Sequence, residues 1–436
     1  MASAASDVNG LTSDEVSDVI DLLTADALSA LMRSTWTWDD RALRRDLSTV
    51  LVDLDAAKLV GEALGTGSAV ARRLHAAALE DASRFVAAVL GPKLIADTGN
   101  PLREQYLTLA TDPVRYARLA DQAHSAIAGE ADAYFRSHVD KVEYPSPSSW
   151  TQLVAEKGAA GLGQALRSHG HLRNDSALFG SKALAWQAVE AVPNCDVATD
   201  YAQRLRSGDL SGALAAAEDT GSWDPALVRT AAAQNAEKWQ LTGSKNYVPA
   251  ADAADVIFVI ARSVAGPSLF AVETTSSGVS VEPHSVVDDT RPLFRVILTD
   301  APATLVGQEG AGGRLMSQVL DRATTALAAE QVGVIEAAIE FVRNGATVSD
   351  DRTAELVLDH AAAHALWQRA LAEGSPEAAA EAHIGCSAAA VRVTSAVAEL
   401  RETEETTALF KRALSGSLLF GGPALAHERL LDRLGI

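Results

Sequence analysis

The hydrophobic period of this chain changes twice, and those changes constrain its fold more than any other feature. Up to about residue 207, apolar residues recur every three to four positions, the spacing of one helical face. From about 208 to 305 they fall in short alternating runs rich in Val, Ile, Phe and Tyr, the spacing of half-buried strands. Beyond Gly307 the helical spacing returns in long uninterrupted stretches. The order helices, strands, long helices excludes a doubly wound sheet, which needs strands and helices to alternate along the chain.

Local signals refine that outline. Ser13 precedes Val16, Val19, Ile20 and Leu23 on one helical face, and Asp39 or Asp40 is placed to cap a helix over 43–52. Val70, Leu74, Ala77, Ala78, Phe85 and Val89 predict a helix over 70–90, punctuated by Gly91-Pro92 and then by Thr98-Gly99-Asn100-Pro101. No chemical motif occurs in this block, so its reading is scaffold or partner-binding surface. Tyr116, Leu119, Ala123, Ile127, Ala131 and Phe135 predict a further helix from Asp112-Pro113 to Val139, and residues 177–192 read as a buried helix. Strand-length segments lie at 238–242, 245–248, 256–262, 268–273, 279–283 and 294–298, which together predict a compact antiparallel barrel or sandwich. Helices are then expected at 314–344, 351–372, 376–401 and 403–419, with Gly421-Gly422-Pro423 ending the last before a short tail helix.

The chain has 436 residues, enough for two or three domains. Its net charge of −20 argues against nucleic acid, which demands a basic face that no Lys/Arg cluster here supplies. No apolar run approaches the ~18–20 residues that span a bilayer. The N-terminus lacks the basic-then-apolar pattern of a secretory signal, and Cys195 and Cys386 have no ligand-like spacing. A reduced, cytoplasmic setting is expected. His169 and His171 lack matching carboxylates or thiols for a metal and read as a surface loop. His360 and His364 read as packing or surface residues, and Cys386 as a small core side chain.

Four segments carry a family resemblance. Trp150, Leu153, Gly158, Gly161 and Leu162 form the first, and Tyr201 to Leu210 (YAQRLRSGDL) the second. Trp239, Leu241, Thr242, Gly243, Lys245, Tyr247 and Val248 form the third, and the run from Leu293 to Gly313 the fourth. Together they resemble the acyl-CoA dehydrogenases, flavoenzymes that desaturate acyl-CoA thioesters. The resemblance covers roughly residues 112–436. It implies a mainly α fold with a central β-domain: a helical N-domain at 111–205, an antiparallel β-barrel or sandwich at 206–305 and a C-terminal four-helix bundle at 306–436. Residues 1–110 form an N-terminal helical extension outside it.

The same resemblance supplies a template for the site. Such enzymes hold FAD, a groove for the acyl chain and contacts to CoA, and use one glutamate to remove the α-proton while flavin N5 accepts the β-hydride. Where the family resembles T-E-P-x-x-G-S-D, this chain reads from Ala217 to Asp224 (AEDTGSWD); Ala217 replaces the flavin-facing Thr, and Ser222 stays as a hydroxyl candidate. Tyr247 takes the place of an aromatic stacked on the flavin, while Pro249 replaces a nearby hydroxyl. In the segment similar to L-D-x-E-R, one branch's base position is Ala323, Asp321 lies where an Asp approaches pantetheine, Arg322 is displaced from the Arg place, and Thr324 occupies it. The other branch's base position is Phe420. Arg343 is what survives of a nucleotide clamp, and residues 398–402 (AELRE) replace a glycine-rich flavin loop. Glu330, seven residues and roughly 10 Å beyond Ala323 along a helix, is too far to substitute as base.

The resemblance implies a degenerate, pseudoenzyme-like subunit, similar to one chain of the paired acyl-CoA dehydrogenases of actinobacterial steroid and polyketide-type metabolism. Its expected partner is a homologous acyl-CoA dehydrogenase chain or a second copy of itself, and its expected ligand an acyl-CoA or a carrier-protein-bound acyl chain. FAD is expected to be shared with or supplied by the partner, leaving little on the isolated chain. Two other readings stay open: a flavin-independent isomerase, cyclase or dehydratase using Tyr247, Ser222, Asp321 or Glu330 in the old cleft, and a non-catalytic assembly protein.

Overall fold

Helix starts in the first part of the chain are set by short polar side chains that accept otherwise unpaired backbone N–H groups. Thr24 Oγ1 accepts from Ala27 N at 3.2 Å to open α1 (Ala25–Thr35). Asp40 Oδ1 accepts from Ala42 N at 2.8 Å and Leu43 N at 3.2 Å to open α2 (Arg41–Leu64), which decides between Asp39 and Asp40. Next come α3 (Ala69–Leu90), a turn at Pro92–Ile95, α4 (Pro101–Thr111) and α5 (Pro113–His138). This computed structural model describes residues 19, 22–96, 101–111, 113–235, 238–345 and 350–436. The expected helix start at Ser13 and the Thr98–Asn100 break lie outside the described residues.

The described residues fall into two compact units. One comprises residues 1–142, 342–366 and 427–436. Its core joins Leu28, Leu31, Leu47, Leu79, Phe85 and Leu119 from α1–α5 with Leu431 from the end of the chain. That last segment is tied down by polar contacts as well: Ser48 Oγ meets His427 Nδ1 at 2.5 Å, and Arg44 pairs with Glu428 at 2.6 Å. His360 is buried and stacks on His364, with ring centroids 5.6 Å apart.

The other unit comprises residues 143–341 and 367–426. It opens with α6 (Trp150–His171), whose helical path breaks at Gly158 (φ 58°, ψ −129°), a conformation open to a residue without Cβ. A π-helical stretch (Phe179–Trp186) runs into an α-turn (Gln187–Glu190), so the expected buried helix over 177–192 is present but wound differently. Helix α7 (Asp196–Ser207) stops at Gly208 (φ 90°). Among its described residues the unit has seven strands: β1 (Gly212–Ala215), β2 (Ala231–Asn235), β3 (Lys238–Pro249), β4 (Val256–Ser263), β5 (Gly266–Glu273), β6 (Val279–Pro283) and β7 (Leu293–Leu305). Pairing runs β4–β2–β3–β7–β5 and returns to β4, closing the sheet on itself, with β1 beside β4 and β6 beside β7. Most pairs are antiparallel; β1–β4 and the single β2–β4 pair are parallel. Leu241, Ile257, Val259, Phe270, Val296 and Leu298 fill its interior.

Long helices complete the chain: α8 (Gly312–Gly345), α9 (Asp350–Glu373), α10 (Pro376–Leu400), α11 (Glu404–Leu418) and α12 (Gly422–Leu434). Within the second unit, α6 and α8 cross backbone to backbone, because a Cβ at Gly170 or Gly333 would overlap the facing main chain. Beside that crossing Arg167 Nε donates to Glu336 at 2.8 Å, and Tyr144 donates to the same carboxylate at 2.8 Å. The surface-loop expectation for His169 and His171 is therefore corrected. Both lie in the last turn of α6; His169 is 1% exposed, and His171 Nε2 faces Glu340 at 2.9 Å. Their place against α8 comes from packing that no local spacing reports. Among the described residues no helix is long and apolar enough to cross a membrane.

Candidate functional site

Strand β3 sets the geometry of the site. Its pairing with β7 slips between Lys245 and Val248, and inside that irregularity Tyr247 takes a left-handed backbone (φ 58°), uncommon for a bulky residue. Upstream, the loop at 216–224 is pinned to β3. Glu218 accepts from Thr230 N and Oγ1, both at 2.8 Å, from Arg229 N at 3.0 Å and from Lys245 Nζ at 2.9 Å. Lys245 is fully buried and also donates to the Ala216 carbonyl at 3.0 Å. Burial lowers its ammonium to about 8, against the opposing pull of Glu218. Asn246 Nδ2 donates to Asp219 at 2.7 Å, and Asn246 N to the Ala217 carbonyl at 2.9 Å. A loop held this firmly keeps a cleft open beside it.

That cleft is a cavity of about 500 Å³, wholly within the second unit. Leu214, Ala217 and Tyr247 come from the sheet side, Phe179 and Leu184 from the π-helical stretch, Leu414 and Leu418 from the end of α11, and Phe420 from the turn that follows it. Phe420 also sits in the left-handed region (φ 60°). Its ring meets Trp223 edge-on at 5.1 Å and lies 6.4 Å from Phe179. Left-handed backbone under two aromatic side chains that share a cavity makes this the candidate functional site.

The remaining residues singled out from the sequence separate in space. Ala323 is fully buried and Phe420 lines the cavity, so neither position presents a carboxylate. Ser222 lies beside the cavity, its Oγ accepting from Asp224 N at 3.1 Å in a turn. Asp321 and Arg322 line a different cavity of about 460 Å³ with Trp186 and Arg206, and Arg322 reaches Gln187 at 3.4 Å. Thr324 is buried, its hydroxyl returned to the Leu320 carbonyl at 2.9 Å. Arg343 belongs to the first unit, where it pairs with Asp132 at 2.9 Å and Asp140 at 3.0 Å and covers the Phe135 ring. Glu330 is buried in an ionic knot, with Arg291 at 2.8 Å, Arg412 closer still and His169 Nδ1 at 3.5 Å. Burial alone would raise its carboxyl, but Arg291 and Arg412 hold it well below the usual range. Of Tyr247, Ser222, Asp321 and Glu330, only Tyr247 lines the main cavity.

Two polar residues of that cavity escape any sequence motif. His284, one residue beyond β6, stacks on Tyr247 with centroids 5.5 Å apart. Asp288 is 3% exposed; its Oδ1 accepts from Thr290 N at 3.0 Å and Oγ1 at 2.6 Å, while Oδ2 faces Arg412 at 3.7 Å. The pairing of β7 with β6 on one side and β3 on the other brings the β6–β7 loop to the end of β3.

Comparison with known proteins agrees with this architecture. Residues 213–297 match the family "Acyl-CoA dehydrogenase, middle domain". An acyl-CoA dehydrogenase of Mycobacterium tuberculosis is 25% identical over 367 residues, 76% of this chain and 89% of the relative. The structure of butyryl-CoA dehydrogenase from Megasphaera elsdenii superposes with a TM-score of 0.61 at 17% identity, covering 72% of this chain and 98% of that one. A steroid ACAD whose name joins two components superposes with a TM-score of 0.56 at 19% identity, covering 72% and 98%. The chain is thus similar to the acyl-CoA dehydrogenases in fold: it is mainly helical, and residues 213–297 of its central β-domain match the family's middle domain. Its relatives and fold support a function of acyl-CoA dehydrogenase type.

FAD is the cofactor this family implies. A flavin ring needs hydrogen-bonding partners along its polar edge, and its diphosphate needs cations or converging backbone N–H groups. Ala217 and Pro249 offer no side-chain donor, and no Lys or Arg is among the cavity's described lining residues. His284 already stacks on Tyr247. These residues do not fit FAD held by this chain alone.

Proposed function

We propose that this chain is an acyl-CoA dehydrogenase-like subunit that binds the apolar part of a bulky acyl thioester and supports its FAD-dependent α,β-desaturation together with a homologous catalytic chain. One observation carries this reading: a cavity large enough for a substantial ligand is present, within the ~300–1,000 Å³ typical of small-molecule sites, while the two positions that the family resemblance assigns to the proton-abstracting carboxylate hold Ala323 and Phe420. An apolar side chain accepts no proton, so the base must come from elsewhere. The two-component steroid ACAD among the structural relatives supports pairing of this kind. Binding of the thioester, as CoA ester or on a carrier protein, is assigned to the 500 Å³ cavity because its walls are mainly aliphatic and aromatic.

The test is purification of the chain alone and with homologous acyl-CoA dehydrogenase chains, followed by flavin absorbance and acyl-CoA oxidation with an artificial electron acceptor. Alone, the chain is expected to be colourless and inactive; paired, the complex is expected to carry FAD and turn over. One tightly bound FAD per chain with desaturation by the isolated protein overturns the proposal.

A further inference from the structure

Among the described residues, the main cavity holds two buried polar atoms without a hydrogen-bond partner, Asp288 Oδ2 and His284 Nε2. They differ in what already satisfies them. Asp288 Oδ2 faces the guanidiniums of Arg412 at 3.7 Å and Arg291 at 4.0 Å, so its charge is balanced inside the protein. His284 Nε2 has no such neighbour among the described residues. Its backbone is fixed, because His284 N donates to the Leu293 carbonyl at 2.9 Å where β7 begins. Its ring is held by the stack on Tyr247, at an interplanar angle of 21°. Two neighbouring polar side chains are otherwise engaged: Asn246 with Asp219, and Thr220 Oγ1 with Ser222 N at 3.3 Å. A buried polar atom left unpaired is unfavourable, and a ligand atom that pairs with it recovers that loss.

We infer that His284 recognises a hydrogen-bonding oxygen carried on a flat, largely hydrocarbon acyl ligand, and so selects oxygenated ring-bearing ligands over plain hydrocarbon ones. The surroundings define the rest of the ligand. Phe179, Trp223, Tyr247 and Phe420 present aromatic surface, Leu184, Leu214 and Leu414 add aliphatic surface, and no cation faces inward from the described lining residues to favour a free carboxylate or phosphate. A centroid distance of 5.5 Å leaves no room for a further ring between His284 and Tyr247, so the oxygen must approach the imidazole at its edge, where Nε2 lies. The inference rests on reading this cavity as the acyl site and adds the group that sets its selectivity.

Two flat probes of nearly equal size, 2-naphthol and 2-methylnaphthalene, separate the hydroxyl from the hydrocarbon. Their dissociation constants are measured on the full chain by titration calorimetry, with Ala217→Trp as a cavity-filling control expected to abolish binding of both. Relative to wild type, His284→Phe is expected to reduce the preference for 2-naphthol about fivefold, within the range of one net hydrogen bond, and to leave 2-methylnaphthalene binding within about twofold. His284→Gln, which keeps a donor, is expected to retain part of the preference. Unchanged far-UV circular dichroism and thermal midpoint establish that each variant is folded, and His284→Leu replaces His284→Phe if the latter does not fold. A preference within about twofold of wild type in the apolar variant overturns the role of His284 while leaving the cavity reading intact. Failure of wild type to bind either probe overturns the cavity reading itself.

Discussion

At Glu330 two guanidiniums and an imidazole converge on one fully buried carboxylate. Removing the charge leaves Arg291 and Arg412 buried with only Asp288 as counter-ion among the described residues, and breaking a buried pair from one side typically costs about 3–5 kcal/mol. Glu330→Gln is therefore expected to lower the unfolding free energy from urea melts by that order, with partial recovery when Arg291→Met is added; a variant within about 0.5 kcal/mol of wild type would show that the knot is not stabilising. The pH dependence has a definite sign. Glu330 titrates well below its ordinary value in the folded chain, so its contribution is present above about pH 4.5 and is lost as the pH falls through the folded value. The gap between wild type and Glu330→Gln is expected to narrow in acid. On the helix that carries it, Glu330 is legible in sequence only as a residue seven beyond Ala323; that it is locked by β6–β7 loop and α11 residues comes from packing alone.

Among the elements, α12 shows how a terminal helix is held. His427 in its first half lies against Ser48 of α2, and Leu431 enters the core of the first unit. Burial first, then the nearby Arg45, lowers the imidazole to about 4, against the raising effect of Glu428. Unfolded, the same histidine titrates near 6.5. Between those values the unfolded chain binds the extra proton, so the stabilisation is complete above about pH 6.5 and is lost as the pH falls toward 4. His427→Asn is expected to reduce the loss of stability between pH 7 and pH 5, measured by denaturant melts at each pH; an unchanged slope would refute this account. Elements also differ in how visible they are beforehand. The turn at Gly208 and the caps at Asp40 and Thr403 use chemistry local to a few residues. The Ala-rich strands β1 (GALA) and β2 (AAAQN) carry no β-branched residue, and pairing with β4 for β1 and with β3 for β2 makes them strands.

At the scale of the whole molecule, histidines kept neutral by burial occur in both units: His75 and His427 in one, His169 in the other. All three are lowered, burial being the largest cause, so each adds to a loss of stability as the pH falls below about 6.5. His427→Asn is thus expected to leave a residual acid slope, and hydrogen exchange corrected for intrinsic rate is expected to show faster opening in both units at pH 5 than at pH 7. Acceleration confined to the first unit would contradict the contribution of His169. The sequence by itself determined the order of elements, because hydrophobic period, caps and glycine breaks act over a few residues. It also determined that no carboxylate stands at Ala323 or Phe420, because identity at a position needs no coordinates once the register is known. Tertiary structure alone decided which side chains share a cavity. The shared pairing of β7 with β3 and β6 set His284 on Tyr247, the α6–α8 crossing buried His169 beside Glu330, and the turn after α11 brought Phe420 against Trp223. Those neighbours are 37, 161 and 197 residues apart in the chain. At such separations proximity is fixed by the packing of whole elements rather than by local backbone preference, and no local pattern in the chain records it.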